Sequence, residues 1–267
     1  MRLDDVRGFV FDVDGSLVHR GGDFRARPLP GAVELLHAIR ASGRPLVLFT
    51  NGSHVGPDAF ARGLREDGLP VEDDELLTPV CSALSYLARR HRGQPVIVFG
   101  SEATRERMAH AGVPLADGEE ADAVFVAHVD EVDLDRMERA ARAVSGGARL
   151  LTANYQRGYW GANGVVFSRG AMVTAGIARV TGARPVVVGK PSMAAVHEIS
   201  NRLGLPPDQL AVIGDDLGMD IALGHLGGSR TILVRSGISG EVDMARVPER
   251  KRPDAVVEGV EEVLGWL

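Results

Sequence analysis

Phe9-Val10-Phe11-Asp12-Val13-Asp14-Gly15-Ser16 is the stretch on which the fold turns: an apolar run ends abruptly in two carboxylates and a glycine. Such a run predicts a parallel strand buried on both faces and running out at Asp12 and Asp14. Side chains two apart on an extended segment point to the same side. Both acids therefore address one small space beyond the strand's carboxyl end, while Val13 faces the other way. Gly15 permits a sharp turn and a close approach of backbone to a ligand. Carboxylates this close repel one another and require a cation or a shared proton. This stretch is the expected reaction centre.

Outward from it, residues 17–30 form a polar, glycine-bearing loop that could cover the site. Helical spacing follows at 31–41, then a second apolar run, Pro45-Leu46-Val47-Leu48-Phe49, again ending in polar residues, Thr50-Asn51-Gly52-Ser53. Residues 57–66 predict a helix with proline in its first turn. Strand, helix, strand, helix is the order of a parallel α/β sheet. Two prolines and the acidic run Glu72-Asp73-Asp74-Glu75 mark a boundary within 70–78. A second α/β block alternates helix and strand up to a glycine-rich, aromatic loop and a helix at 171–180. Pro185-Val186-Val187-Val188-Gly189-Lys190 and Leu210-Ala211-Val212-Ile213-Gly214-Asp215-Asp216 return to the pattern of a buried strand with a polar end. The expected architecture is α/β: a Rossmann-like, doubly wound parallel sheet from residues 1–77 and 185–267, with an α/β cap domain inserted at 78–184.

Composition narrows the function. A chain of 267 residues, 45% hydrophobic, suffices for one to two packed domains. Its net charge of −6 argues against a nucleic-acid surface. The single cysteine, Cys81, excludes an internal disulfide and a cysteine-based metal cluster. The eight histidines show no zinc-ligand spacing, and His54 and His128, which follow strand ends, are expected at the surface. No apolar run reaches the roughly 20 residues that span a bilayer and no signal peptide is evident, so a cytoplasmic location is expected. Thirty basic residues include only two lysines, Lys190 and Lys251.

Four strand ends thus carry polar clusters: Asp12/Asp14, Thr50/Asn51, Lys190, and Asp215/Asp216 with Asp220. Ligands of open α/β sheets sit outside the carboxyl ends of the strands, so the four converge. Each alone has an ordinary reading. Asp-Gly suits a turn, Thr-Asn-Gly a turn or helix start, and Asp215-Asp216 a helix cap. A lysine kept at Lys190 in an arginine-rich chain fits a site needing a compact charge. Together they supply a carboxylate nucleophile, a second carboxylate, hydroxyl and amide donors, an ammonium and an acidic cation site. That inventory suits phosphoryl transfer.

In these motifs, in this order, the chain resembles the haloacid dehalogenase-like hydrolase superfamily. Leu48-Phe49-Thr50-Asn51-Gly52-Ser53 and Gly189-Lys190-Pro191, with the insertion between them, resemble its branch of p-nitrophenyl phosphatases and NagD-type nucleotidases. The resemblance implies an aspartyl-phosphate on Asp12, with Asp14 protonating the leaving oxygen and then activating water. It implies that Thr50, the Asn51 backbone and Gly52 bind the phosphoryl group and that Lys190 screens its charge. Asp12, the Asp14 carbonyl and Asp215 would hold Mg²⁺, with Asp216 and Asp220 behind them orienting water or Lys190. The implied activity is Mg²⁺-dependent hydrolysis of small phosphomonoesters: sugar, polyol, nucleotide or aryl phosphates.

Where family members follow the cap's last strand with Asn-Pro-Asp, this chain has Asn154-Tyr155-Gln156-Arg157-Gly158-Tyr159-Trp160-Gly161. Tyr155, Tyr159 and Trp160 could stack on a substrate ring, with Arg157 reading an anion. A hydrophobic plug or a dimer contact suits the same residues, and a homodimer through the cap is expected by analogy only. Asp130 and Asp133 are expected to be solvated loop acids. Alternatives are a phosphomutase or phosphotransferase, a dehalogenase, a phosphoacceptor receiver domain and a catalytically idle phosphate-binding homologue. The second acid disfavours a dehalogenase, the large cap a small-cap mutase, and the strand order and length a receiver.

Overall fold

The computed structural model describes residues 2–21, 25–161 and 164–267, and of 159–161, 164 and 165 it describes the backbone alone. The chain divides into two compact units, one of Met1–Thr50, Pro57–Leu77 and Pro191–Leu267, the other of Asn51–Gly56 and Thr78–Lys190.

The first unit begins with β1 (Gly8–Phe11), β2 (Val18–Arg20), β3 (Ala26–Pro28), α1 (Ala32–Ala41), β4 (Leu46–Phe49), α2 (Pro57–Glu66) and β5 (Leu76–Leu77). The second runs through α3 (Pro79–Arg90), β6 (Val96–Phe99), α4 (Glu102–His110), β7 (Ala123–Val126), α5 (Leu134–Ser145), β8 (Arg149–Thr152), β9 (Gly158–Gly161), β10 (Gly164–Phe167), α6 (Arg169–Thr181) and β11 (Val186–Val187). The chain then returns to the first unit with α7 (Met193–Leu203), β12 (Leu210–Gly214), a π-helical turn (Leu217–Ile221), α8 (Ala222–Gly227), β13 (Arg230–Val234), β14 (Ala255–Val257) and α9 (Val260–Leu264).

The first unit's sheet has the order β14-β13-β12-β1-β4-β5, and every pairing in it is parallel. β1 and β12, the central pair, are buried at every residue, as their unbroken apolar runs require. From β1 the chain builds outward through β4 and β5, then crosses back to lay β12, β13 and β14 on β1's other side. The order therefore reverses between β1 and β12, in register Phe11↔Ile213. In a doubly wound sheet that reversal opens a crevice at the carboxyl ends of the two strands.

The second unit's sheet, β11-β8-β7-β6, is also wholly parallel, but each strand is added beside its predecessor and the order does not reverse. One face packs Ile97, Phe99, Val124, Val126 and Leu150 against Val144, Val173 and Ile177 of α5 and α6. Ser168 caps α6 by accepting the Ala171 amide at 3.2 Å, and Gly182 ends the helix in a left-handed conformation.

Four segments depart from the sequence expectation. Residues 17–30 are not a plain loop but contain the antiparallel hairpin β2–β3, with Val18 opposite Pro28. The boundary at 70–78 contains β5, whose Leu76 and Leu77 complete the sheet edge beside β4. The aromatic loop contains the hairpin β9–β10. The expected core strand at 185–190 is only Val186–Val187, and it pairs with β8. A short valine run fits the open edge of either sheet. The second unit accordingly extends to Lys190 and takes in Asn51–Gly56, rather than covering 78–184.

Candidate active site

β1 and β12 deliver their acids to the reversal point directly. The Asp12 amide donates to the Ile213 carbonyl at 2.9 Å, continuing the β1–β12 ladder one residue past the strand. Asp215 follows Gly214, the last residue of β12. A third acid arrives through the π-helical turn. There the Asp216 carbonyl accepts the amides of Asp220 at 2.9 Å and Ile221 at 3.2 Å, while the Asp216 carboxylate caps the turn at the Gly218 amide, 2.7 Å. The extra residue of a π turn rotates the later positions of the helix. Asp220 thereby comes back against Gly214, its Oδ2 accepting the Asp216 amide at 3.1 Å. One carboxylate oxygen each of Asp12, Asp215 and Asp220 lies within 4.8 Å of the others.

Two residues that carried no sequence signal complete this pocket. Ser16, fully buried, donates its hydroxyl toward Asp12 Oδ2 at 3.1 Å and Asp215 Oδ1 at 3.4 Å. The Ile238 amide donates to Asp215 Oδ2 at 2.6 Å from the loop after β13. Gly15 and Gly237 wall the Asp215 carboxylate so tightly that a Cβ on either would collide with its Oδ2, and Gly15 has a φ of 88°. A serine after Asp-Gly looks like turn composition, and Ser236-Gly237-Ile238-Ser239-Gly240 looks like an ordinary surface loop.

Asp14, two residues on from Asp12, lies at the more open side of the turn. Its carboxylate is half exposed, and its Oδ1 accepts Arg20 Nε at 2.5 Å. Thr50 is buried at the end of β4, its amide donating to the Leu77 carbonyl at 3.2 Å.

Asn51 and Lys190 belong to the second unit and are joined there. The Asn51 side-chain amide donates to the Lys190 carbonyl at 2.9 Å, and its Oδ1 accepts the Lys190 amide at 2.8 Å. The side chain that looked like a turn former instead clasps a backbone 139 residues away. Lys190 is buried, and Gly52 is half-buried in the irregular segment after Asn51. In the same unit Ser53 Oγ accepts the His128 amide at 3.0 Å, and the rings of His54 and His128 meet edge to face. Asp130 is a solvated acid, as expected, and its carboxylate meets His128 at 3.4 Å and Arg169 at 3.2 Å. Asp133 caps α5 through the Asp135 amide. Arg157 and Tyr155 are exposed, and the side chains of Tyr159 and Trp160 lie outside the described ones.

The donor set suits a small hard cation. Three carboxylates lie close enough to share one, all offering oxygen donors, with Asp215 and Asp220 buried. The crowding of Asp215 by two glycines is that of a carboxylate seated to face one way.

Comparison with known proteins agrees with this geometry. A family model described as haloacid dehalogenase-like hydrolase matches residues 9–114, and a second, HAD-hydrolase-like, matches 187–263. The ribonucleotide monophosphatase NagD of Escherichia coli K12 is 32% identical over 262 residues, 97% of this chain and 98% of that protein. The solved NagD structure superposes with a TM-score of 0.85 at 30% identity, covering 98% of each chain. The p-nitrophenyl phosphatase of Archaeoglobus fulgidus superposes at 0.87 with 28% identity, covering 98% of this chain and 100% of its own. Sugar-phosphatase AraL of Bacillus subtilis is 25% identical over 96% of this chain and 91% of its own.

Proposed function

Because this chain belongs to the haloacid dehalogenase-like hydrolases, in the branch of NagD and the p-nitrophenyl phosphatases, and is a phosphatase of small phosphomonoesters, we propose that Asp12 is its nucleophile. The observation that carries this reading is the convergence of the Asp12, Asp215 and Asp220 carboxylates at the reversal of strand order. Asp12 attacks phosphorus, the ester oxygen leaves with a proton from Asp14, and an aspartyl-phosphate forms. Water then attacks that phosphorus, giving its proton to Asp14, and inorganic phosphate departs with Asp12 restored. Two easier displacements replace one difficult hydrolysis.

Ser16 and the Ile238 amide orient the acids: one bridges Asp12 to Asp215 and the other fixes Asp215. Asp12, Asp215 and the Asp14 carbonyl would hold Mg²⁺, with Asp220 beside them as a further carboxylate. The bound ion would supply positive charge against the phosphoryl oxygens. Thr50, Gly52 and the Asn51 amide are assigned to phosphoryl binding and Lys190 to charge neutralisation. The Asn51 side chain, engaged with the Lys190 backbone, holds that lysine's peptide in place.

The first unit is read as the catalytic core and the second as the substrate-selecting cap. Sugar, polyol, nucleotide and aryl phosphates are the candidate substrates, since relatives are named for ribonucleotides, sugars and p-nitrophenyl phosphate. A homodimer through the cap is proposed by analogy alone. A cytoplasmic location is consistent with the fact that no described helix is long and apolar enough to cross a membrane.

The test is phosphate release from a panel of those esters, with Mg²⁺ or a chelator, beside Asp12→Asn. Turnover that needs Mg²⁺ and falls by at least roughly a thousandfold in the variant is expected. Turnover that survives either chelation or Asp12→Asn overturns the reading.

A further inference from the structure

The hairpin β2–β3 does not merely follow the motif at Asp12; it reaches back to it. The Gly15 amide donates to the Val18 carbonyl at 2.8 Å, and the Leu17 and Val18 amides both donate to the Val13 carbonyl, at 2.9 and 3.0 Å. Three short bonds therefore lock the root of the hairpin to the turn that bears Asp14. Farther out, Arg20 lies opposite Ala26, whose amide donates to Asp67 Oδ2 at 2.7 Å. Arg25 Nε reaches the other oxygen of Asp67, also at 2.7 Å. The Arg20 guanidinium carbon sits 5.2 Å from the centroid of the Phe60 ring on α2, a cation–π distance. The guanidinium is thus fixed from beneath by a ring and along its strand by an anchored partner. It points its Nε at Asp14 Oδ1.

We infer that Arg20 is a positioning residue for Asp14: anchored on the hairpin and on Phe60, its guanidinium holds one carboxyl oxygen and so sets the direction of the other. This rests on the reading of Asp14 as the acid and base of the reaction. A carboxyl is planar, so engaging Oδ1 fixes the plane and with it the place of Oδ2. A guanidinium only donates, and it donates to Oδ1 whether the group is a carboxylate or a carboxylic acid. The pair is half exposed, and pairs of that kind contribute little to folding stability, so its consequence falls on geometry at the reacting proton. A misaimed proton donor hurts most where the leaving group is a strong base and least where it departs readily as an anion.

The experiment compares Arg20→Ala with the native enzyme on phenyl phosphate and p-nitrophenyl phosphate. The two esters are alike in shape, but the nitro group makes its phenolate much the better leaving group. In single-turnover mixing, which reads the leaving-group step apart from the water attack common to both esters, a roughly tenfold fall in the rate of phenol release is expected, against less than about threefold for p-nitrophenol. The substrate concentration giving half that rate should stay within about twofold on both, and the thermal midpoint should be unchanged. Arg20→Lys, which keeps the charge without the planar fork, should fall between the two. Equal losses on both esters, a change confined to that half-rate concentration, or no loss overturns the inference. Asp14→Asn separates this from failure of the underlying reading. If Asp14→Asn abolishes turnover on phenyl phosphate while Arg20→Ala changes nothing, only the inference about Arg20 falls. If Asp14→Asn retains native turnover, the acid–base reading falls, and the role of Arg20 with it.

Discussion

The two units of this chain are built by the same rule and differ in one respect that decides their chemistry. Each is a parallel sheet made by alternating strands and helices, with apolar strands covered by amphipathic helices. In the second unit each strand is added beside the last, so each connection crosses to the neighbouring position and the strand order does not reverse. In the first, the chain returns across β1 to start again on its far side. The connections on the two sides of β1 then lead away from each other, and the gap left at the carboxyl ends of β1 and β12 holds Asp12 and Asp215. The same packing physics brings three carboxylates together in the first unit and does not do so among the described residues of the second. The difference is the order of strands, not their composition.

If stability follows packing alone, matched deletions in the two cores should cost alike. Phe11→Ala in β1 and Phe125→Ala in β7 remove fully buried rings, and each should destabilise its own unit by about 3–5 kcal/mol. Denaturant unfolding followed by hydrogen exchange in each unit measures this, and a cost below about 1 kcal/mol in one of them would break the comparison. Dependence on Mg²⁺, by contrast, should track the carboxylates of the first unit. Asp215→Asn should lower Mg²⁺-supported turnover roughly a hundredfold, about 2.7 kcal/mol. The same change should raise the melting temperature of the metal-free protein, because it relieves repulsion among three clustered carboxylates. A melting temperature that falls would mean that the cluster is held mainly by Ser16 and the Ile238 amide. Asp220→Asn should weaken the apparent Mg²⁺ affinity by roughly tenfold, read from activity titrations.

The smallest effect is one of pH. The Ala26 amide foremost, and then the Arg25 guanidinium, hold the Asp67 carboxyl below the ordinary carboxylate range. A folded-state value depressed below the unfolded one gives stability that is present above the unfolded value, near 3.9. That stability is lost as pH falls toward the folded value. Asp67→Asn should remove this dependence: its midpoint should lie slightly below the native one at pH 7, where the contribution is fully present, and the two should converge as pH falls below the folded value. Acid unfolding curves of the two proteins test it, and superimposable curves would remove Asp67 as an anchor.

Much of this was legible in the chain itself. The runs ending in Asp12 and Asp215 are short and apolar without alternation, as strands buried on both faces are, and Met193–Leu203 carries its own start and stop in Ser192 and Gly204. What escaped was of three kinds. β5 is two leucines beside an acidic run, too short for any periodicity. Val186–Val187 is legible as a strand, but nothing local says which sheet it completes. The side-chain clasps, Asn51 with the Lys190 backbone, Ser16 with two acids and Arg20 with Asp14, depend on three-dimensional proximity. Their residues are the same ones that fill ordinary turns and surfaces.

The π-helical turn at Leu217–Ile221 has a consequence for how this chain can vary over evolutionary time. Each residue of a regular helix advances the chain by about 100°. Deleting one residue from that turn would restore regular winding and swing Asp220 away from Asp12 and Asp215, with every other side chain intact. Insertions and deletions, normally the most tolerated changes between strands, are here forbidden over five consecutive positions. Among descendants of this protein, the length of that turn should be kept more strictly than the identity of most residues in it.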